Sequence, residues 1–246
     1  MRIAVVSDIH GNLPALEAVA ADFRRRGVDA VVNLGDSLSG PLLPLETAQY
    51  LMAQDWTHLA GNHERQILDT GVAQGASDLY ARSRLTGREL SWLGTLGPRA
   101  DFADDVLLCH GTPDSDLHYL METVEPDRFR MASAAELEQR LAGTAAALIV
   151  CGHSHVPRSL RTARDQLVVN PGSVGVPGFV ATRPHPHVVQ NGSPDARYAI
   201  VERRGGRWQS CLYAVPYDFR PMATLAAQRG RPDWERVLAS GYASDA

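Results

Sequence analysis

The sequence predicts an α/β fold in which a pair of mixed β-sheets is packed as a sandwich and flanked by helices. In the first half of the chain, short apolar runs rich in β-branched residues alternate with segments of helical period. In the second half, pairs of apolar runs are joined by short polar turns, which is typical of hairpins. The 246 residues are 44% hydrophobic, which suits one α/β domain with a sizeable core.

The first half reads as successive strand–helix units. Residues 2–7 form an apolar run typical of a buried strand, and Asn12 with Pro14 marks the start of a helix that Gly27 ends. Residues 29–34 form the next strand, which we expect to be parallel to the first after a right-handed crossover. The elements that continue this scheme are a helix over 45–54, a strand over 56–60, and helices around 77–85 and 88–94.

The second half is expected to hold mainly hairpins. Its predicted elements are a hairpin over 99–109, a helix from Ser133 to Leu141, a strand over 147–150, two strands flanking Arg164-Asp165, a hairpin over 197–204 and 207–214, and surface helices after Pro216. We interpret residues 111–131 as a small cap or loop insertion and residues 175–194 as a variable loop. No linker is evident, so a single domain over residues 1–246 is expected.

Composition argues against several classes of protein. The net charge is −4, from 24 basic and 28 acidic residues, whereas a bulk nucleic-acid binder normally presents a basic face. No apolar stretch approaches the roughly 20 residues that span a bilayer, and the first residues read as a strand rather than a signal peptide. We therefore expect a cytoplasmic protein without a membrane partner, and the sequence leaves oligomerisation open. Cys109 and Cys151 lie in apolar runs and are expected to be buried thiols.

Five short polar motifs each follow an apolar run. They are Asp8-Ile9-His10, Gly35-Asp36, Gly61-Asn62-His63-Glu64, His110-Gly111 and Gly152-His153-Ser154-His155. Each alone has an ordinary explanation, because Asp36 and Asn62 could cap helices and His110 could be a buried, hydrogen-bonded histidine. Together they supply carboxylate, amide and imidazole groups at the ends of successive strands, where ligands collect in open α/β sheets. The set therefore predicts a site for a pair of transition metals.

Two of the motifs hold ligand-type residues at a spacing of two. Asp8 with His10, and His153 with His155, would each point to one side of an extended backbone. Asp8 and His10 could therefore reach one ion beyond the end of the first strand. Two imidazoles on one face are costly unless they bind something, so the histidine pair is the more specific signal.

The five motifs, in this order, closely resemble those of the calcineurin-like metallophosphoesterase superfamily, in particular its small single-domain bacterial members of the phosphodiesterase-like branch. The resemblance covers residues 8 to 155, and Asn170-Pro171-Gly172-Ser173 extends it. Residues beyond about 180 are not constrained by it. The resemblance implies a four-layer α-β-β-α arrangement.

The resemblance also implies two divalent metals and a catalytic histidine. One metal would be held by Asp8, His10, Asp36 and His155, and the other by Asp36, Asn62, His110 and His153. A water or hydroxide between the ions would attack the phosphorus atom, because metal coordination lowers the pKa of the bound water. His63 would assist the leaving group, so that His63 and the bridging Asp36 are the expected catalytic residues. These ligands suit Mn, Fe, Zn, Co or Ni, and the resemblance favours Mn.

The expected activity is hydrolysis of a small phosphate ester, either a diester or a monoester. One alternative is a nucleotide or dinucleoside polyphosphate hydrolase, or a protein phosphatase. Those branches carry Asp-Arg shortly after the Gly-Asp motif, whereas this chain continues Ser37-Leu38-Ser39-Gly40-Pro41, which argues against both. A non-catalytic scaffold of the same fold, as in a retromer subunit, is a third reading, but such scaffolds tend to lose ligands or the catalytic histidine.

Other polar residues have ordinary explanations. We expect His118 at the surface of the cap, and His185 and His187 exposed to solvent in a Pro-rich loop. Arg65 could reach phosphate but is expected mainly to cover its own helix. The Asn170–Ser173 turn is expected to brace the metal ligands from behind.

Overall fold

A computed structural model of the protein describes residues 1–71 and 75–244. The strands are β1 (Arg2–Val6), β2 (Ala30–Asn33), β3 (Thr57–His58), β4 (Arg99–Phe102), β5 (Val106–Cys109), β6 (Glu122–Glu125), β7 (Arg128–Met131), β8 (Leu148–Val150), β9 (Arg158–Arg161), β10 (Leu167–Asn170), β11 (Gly178–Ala181), β12 (His187–Gln190), β13 (Ala196–Arg204) and β14 (Arg207–Val215). The helices are α1 (Leu13–Arg26), α2 (Pro44–Met52), α3 (Asn62–Leu68), α4 (Ala76–Arg84), α5 (Gly87–Leu93), α6 (Ala134–Arg140), α7 (Arg220–Gln228) and α8 (Pro232–Ser240).

Two five-stranded sheets form the centre of the molecule. The first has the order β14-β13-β1-β2-β3, and the second has the order β4-β5-β8-β10-β9. In the first sheet β1, β2 and β3 are parallel, and in the second β5, β8 and β10 are parallel. Each sheet therefore has three strands whose carboxyl ends lie at one edge, and the ligand motifs follow those ends.

The packing gives the four layers that the sequence predicted. Side chains from the facing sides of both sheets, including Val5 and Val150, share one buried core. The outer face of the first sheet packs on α1 through residues such as Leu16, and the outer face of the second packs on α6 through Leu137. The α-β-β-α architecture is thus confirmed. No helix in the described ranges is long and apolar enough to cross a membrane.

Local sequence signals set the helix ends. The side-chain oxygen of Asn12 accepts from the backbone N–H of Ala15 at 3.3 Å, and α1 ends at Gly27, which has φ 72°. Thr86 with Glu89 forms a capping box at α5. The ends of α1 at Asn12 and Gly27 are where the sequence placed them.

Two segments that were expected to be irregular contain hairpins. Within 111–131 the strands β6 and β7 pair antiparallel, and within 175–194 the strands β11 and β12 do the same. The loop interpretation is wrong for these stretches. In the first hairpin charged residues obscure the alternation, although Glu125 binds Arg128 and Arg130 across its turn. In the second, prolines between the strands obscured the pattern.

Candidate metal centre

The structure gathers the predicted ligands into two buried groups at the carboxyl ends of the parallel strands. In the first group, the ligand atoms of Asp8, His10 and His155 all lie within 4.8 Å of one another. The nitrogen Nε2 of His155 is 3.3 Å from Oδ1 of Asp8 and 3.3 Å from Nε2 of His10. These residues follow β1 and β8, which belong to different sheets.

The second group consists of Asp36, His110 and His153, again with ligand atoms within 4.8 Å. Oδ2 of Asp36 lies 3.0 Å from Nε2 of His110. One polar atom of the Asn62 side-chain amide lies 3.0 Å from Nδ1 of His153 and 3.3 Å from Oδ2 of Asp36; an NH2 group there would donate to both, whereas an oxygen there would face only acceptors. An oxygen that points at acceptors is well placed to bind a cation.

Backbone carbonyls fix which nitrogen each histidine turns toward the site. Nδ1–H of His10 donates to the carbonyl of Ser39 at 2.7 Å, and Nδ1–H of His155 donates to the carbonyl of Val176 at 2.7 Å. A carbonyl can only accept, so when both rings are neutral, as metal binding requires, Nε2 of each ring faces the other as a lone pair. Two lone pairs at 3.3 Å repel unless a cation lies between them. Metal-binding histidines are oriented by such bonds to the second nitrogen.

Backbone carbonyls also orient the two histidine rings of the second group. Nδ1–H of His110 donates to the carbonyl of Leu34 at 2.9 Å, which leaves Nε2 for the site. His153 is reversed, because its Nε2–H donates to the carbonyl of Leu117 at 3.1 Å and its Nδ1 faces Asn62. Oδ1 of Asp8 is buried without a hydrogen-bond partner among the described residues. The donor set therefore fits a pair of divalent cations.

The backbone at the proposed ligands is not the extended backbone that the sequence predicted. Residues Asp8, His10, His153 and His155 are not extended, since their φ angles lie between 52° and 66°. Asp36 has φ 53° as well. Non-glycine residues in this left-handed region are uncommon and cost about 1–3 kcal/mol each, so they concentrate at functional sites. The i, i+2 argument was wrong in its geometry. Asp8 and His10 do share one group, but His153 and His155 fall in different groups.

Glu64 organises the loop that carries Asp36. Its carboxylate accepts hydrogen bonds from the backbone N–H groups of Asp36, Ser37 and Gly61 at 2.7, 2.8 and 2.8 Å. Burial and the charge of Asp36 raise the pKa of Glu64. The residue caps and orients, as the sequence suggested, and does not face the cleft.

His63 lies beside the second group and is held by a residue that sequence reasoning missed. Its Nδ1–H donates to Oδ1 of Asp78 at 2.7 Å, and its backbone N–H donates to Oδ1 of Asp36 at 2.9 Å. Its Nε2 lies 4.0 Å from Oδ2 of Asp36. Asp78 is buried in the first turn of α4. The only sequence signal was an acidic residue at a helix start, which is too common to single out.

The charges within the site shift the pKa values of its histidines strongly. Burial lowers the pKa of His63, but the carboxylates of Asp36, Asp78 and Glu64 outweigh it and raise the pKa to about 9. Burial similarly lowers the pKa of His110, but Asp36 raises it to about 10.

Burial has the largest effect on the pKa values of His10 and His153. It lowers the pKa of His153 to about 3, together with the charge of His110. Burial and His155 lower the pKa of His10 to about 4, against the charge of Asp36. These two imidazoles are neutral and available to metal at neutral pH.

The turn after β10 supports the ligands from behind, as predicted. The hydroxyl of Ser173 donates to the carbonyl of Asp8 at 2.7 Å, and Nδ2 of Asn170 donates to the carbonyl of Gly152 at 2.7 Å. Cys109 and Cys151 are buried free thiols, and burial raises the pKa of both. Neither provides a thiolate at neutral pH.

The remaining candidates lie around the cleft. Arg65 on α3 pairs with Asp116 through two contacts of 2.8 and 2.9 Å, which ties the helix to the loop before β6. His118 is exposed, as expected, and lines the cleft. The expectation that His187 is exposed is wrong, because it is buried with Nε2 3.0 Å from the hydroxyl of Tyr119 and its ring stacked on Phe129.

Comparison with known families agrees with this geometry. Residues 1–189 match the calcineurin-like phosphoesterase superfamily domain. Because this match covers well over half of the chain, the protein belongs to that superfamily. An uncharacterized protein of Methanocaldococcus jannaschii is 24% identical over 257 residues, which cover 94% of each chain.

Solved structures show the same fold. A metallophosphoesterase from Sphaerobacter thermophilus has a TM-score of 0.77 and 24% identity, over 98% of this chain and 99% of that one. A hypothetical protein from Pyrococcus horikoshii OT3 has a TM-score of 0.71 and 17% identity, over 100% of this chain and 99% of that one. At these identities the likeness concerns the fold. It extends past residue 189, so the C-terminal helices are part of what is shared.

Proposed function

We propose that this protein is a metal-dependent phosphoesterase that hydrolyses a small phosphate diester or monoester. The observation that carries the proposal is the pair of buried ligand groups, Asp8–His10–His155 and Asp36–His110–His153. Membership of the superfamily supports the same reaction class. In the first group, Nε2 of His10 and Nε2 of His155 face each other beside the carboxylate of Asp8, an arrangement with no common structural role.

The proposed ligands are those implied by the motifs. Asp8, His10 and His155 would hold one cation, and Asn62, His110 and His153 the other. Asp36 would bridge, since its charge acts on the pKa of His10 in the first group and of His110 in the second. Two such cations, when bound, lower the pKa of coordinated water and neutralise the phosphate oxygens. We propose manganese as the native metal and the cytoplasm as the location.

His63 is the proposed acid for the leaving oxygen. Its Nδ1–H is fixed by Asp78, so its Nε2 is directed toward Asp36 and the cleft. Asp36 and Asp78 both raise the pKa of His63. A bound cation would offset the contribution of Asp36, whereas the contribution of Asp78 would persist. His63 can therefore deliver a proton from Nε2 to the departing alkoxide while Asp78 balances its charge.

The test is a turnover screen of the purified chain loaded in turn with Mn, Zn, Fe, Co and Ni. We expect hydrolysis of at least one ester in a panel of diesters, monoesters and nucleotides. A chelator should abolish it, and added metal should restore it. Full metal content with no turnover of any ester would contradict the proposal and favour the scaffold alternative.

A further inference from the structure

The cleft above the metal centre is larger than the reaction itself requires. Its volume is about 1680 Å³, whereas small-molecule sites typically measure roughly 300–1,000 Å³. Its walls include the β11–β12 hairpin and α8. Both elements follow the last ligand motif, Gly152-His153-Ser154-His155, in the chain. The cleft therefore has room for a substantial organic group attached to the phosphate.

Two aromatic rings from these walls flank the first metal group. The ring of Phe179 on β11 lies edge-on to His155, with centroids 4.8 Å apart. The ring of Trp234 on α8 lies edge-on to His10, with centroids 6.0 Å apart. Both aromatic residues line the cleft. A group bound beside the first metal would thus meet an aromatic side chain from either wall.

Trp234 also lies near the proposed acid. The ring centroid of His10 lies 5.4 Å from that of His63 and 6.0 Å from that of Trp234, so both residues neighbour His10. A substituent on an ester oxygen within reach of His63 can therefore extend across His10 to the Trp234 wall. That substituent is the leaving group, because it is the one that His63 protonates.

The position of Trp234 is firmly set by its surroundings. A side-chain carbon on Gly40 would lie 2.6 Å from the indole, and Gly40 has φ 154°. Arg231 lies over the indole at 5.5 Å and donates to the hydroxyl of Ser77 at 3.0 Å, which ties α8 to α4. The indole thus packs against Gly40, in the loop after Asp36 where the sequence lacks an arginine. At Gly40 there is no room for a side chain.

Exposed apolar side chains also line the cleft. Val180 is 61% exposed at the β11–β12 hairpin, and Leu117 is 53% exposed in the loop that contacts His153. Charged residues such as Arg65 and Arg183 line it too.

We propose that Trp234, with Phe179, forms a subsite for a planar aromatic ring on the leaving group of the ester. This rests on the proposed function, since it assumes that phosphate binds at the metal centre. Aromatic rings recognise other rings through edge-to-face and offset contacts, which a saturated ring of the same size cannot reproduce. Trp234 and Phe179 are therefore specificity-determining residues rather than catalytic ones.

The test uses non-hydrolysable probes, so that it does not depend on turnover. Methylphosphonate, benzylphosphonate and cyclohexylmethylphosphonate are titrated into the manganese-loaded full-length protein, with calorimetry and tryptophan fluorescence as readouts. We expect benzylphosphonate to bind roughly tenfold more tightly than the other two, the order of a ring-on-ring contact. Trp234→Ala should bring the ratio of benzylphosphonate to cyclohexylmethylphosphonate affinity down to about one, whereas Trp234→Phe should retain most of the preference.

Leu225→Ala is the matched control. Leu225 and Trp234 pack against the same apolar cluster of α7 and α8, but Leu225 does not line the cleft. This variant loosens the helix pair without touching the subsite, and we expect it to keep the preference for the benzyl probe.

The outcomes separate the subsite from the reaction. Equal affinity for the benzyl and cyclohexylmethyl probes, or an unchanged preference in Trp234→Ala, would overturn the subsite even if esters are hydrolysed. A preference that depends on Trp234 in a protein that hydrolyses no ester would uphold the subsite and refute the proposed function.

Discussion

Asp78 holds His63 through a hydrogen bond of 2.7 Å between its carboxylate and Nδ1 of the ring. The two residues lie on different helices, His63 on α3 and Asp78 on α4. A carboxylate accepts only, so Nδ1 must carry a hydrogen and Nε2 is the atom turned toward the cleft. The pair fixes both the orientation of the ring and the nitrogen that can act.

Replacing His63 tests its role as the acid. We expect His63→Ala to keep a near wild-type metal content and to lose about 10²–10⁴-fold in kcat, the usual share of general acid–base catalysis. The loss should be smaller for esters with acidic leaving groups, because these depart without a proton. Unchanged turnover of all substrates would sink the assignment.

Asp78→Asn tests whether Asp78 acts through His63. A hydrogen bond to a charged group contributes about 1.5–3 kcal/mol, so we expect roughly a ten- to hundredfold loss in kcat with KM little changed. The double variant with His63→Ala should be no slower than His63→Ala alone. Asp116→Asn, which breaks the pair with Arg65 at the cleft rim, is the control and should keep kcat near wild type. Additive losses in the double variant would show that Asp78 acts independently of His63.

Asp36→Asn tests the bridging role. Loss of the charge next to His110, 3.0 Å away, should lower occupancy at both positions, measured by elemental analysis after dialysis. The fall in metal affinity should exceed the roughly 10–100-fold fall that is typical when a residue hydrogen-bonded to a metal ligand is removed. Two fully retained metals would refute the bridge.

Gly61→Ala tests the close packing behind the site. The new side-chain carbon would lie 2.3 Å from Oδ1 of Asp36 and 2.8 Å from Cε1 of His110. We expect about 1–3 kcal/mol of destabilisation and weaker metal binding, because both groups must move. Gly87→Ala is the control, since nothing lies within 4 Å of its added carbon. Equal metal affinity in the two variants would contradict the packing argument.

The proposed metal ligands could be picked out from the sequence because each follows an apolar run, and the strands bring those run ends together. Asp78 and Trp234 could not be found in this way. Asp78 reaches His63 from the next helix, and Trp234 reaches Gly40 from the far end of the chain. Helical periodicity gives the helix and its buried face, but says nothing about which distant loop that face meets.

The extended backbone that the i, i+2 spacing predicts is not found at the proposed ligands. Asp8 and His155 adopt left-handed conformations, which are uncommon for any residue with a side chain, although aspartate and histidine enter them more often than most. Local propensity permits such conformations without selecting them, so the tertiary hydrogen bonds decide where they occur. The amide of Asp8 donates to the carbonyl of Gly35 at 3.0 Å, which illustrates how the neighbouring loop imposes the turn.

Acid sensitivity of the fold should depend on His58, which lies away from the metal groups on β3. Burial lowers its pKa to about 4, and its ring stacks on Trp56. The unfolded chain takes up this proton near pH 6.5 and the folded chain only near pH 4, so stability falls as pH falls through that window. The linked change is up to about 3 kcal/mol. Urea unfolding with chelator present, at pH 7 and pH 4.5, should show less acid destabilisation in His58→Phe and His58→Gln than in wild type. The same loss of stability in all three proteins would show that His58 does not control this response.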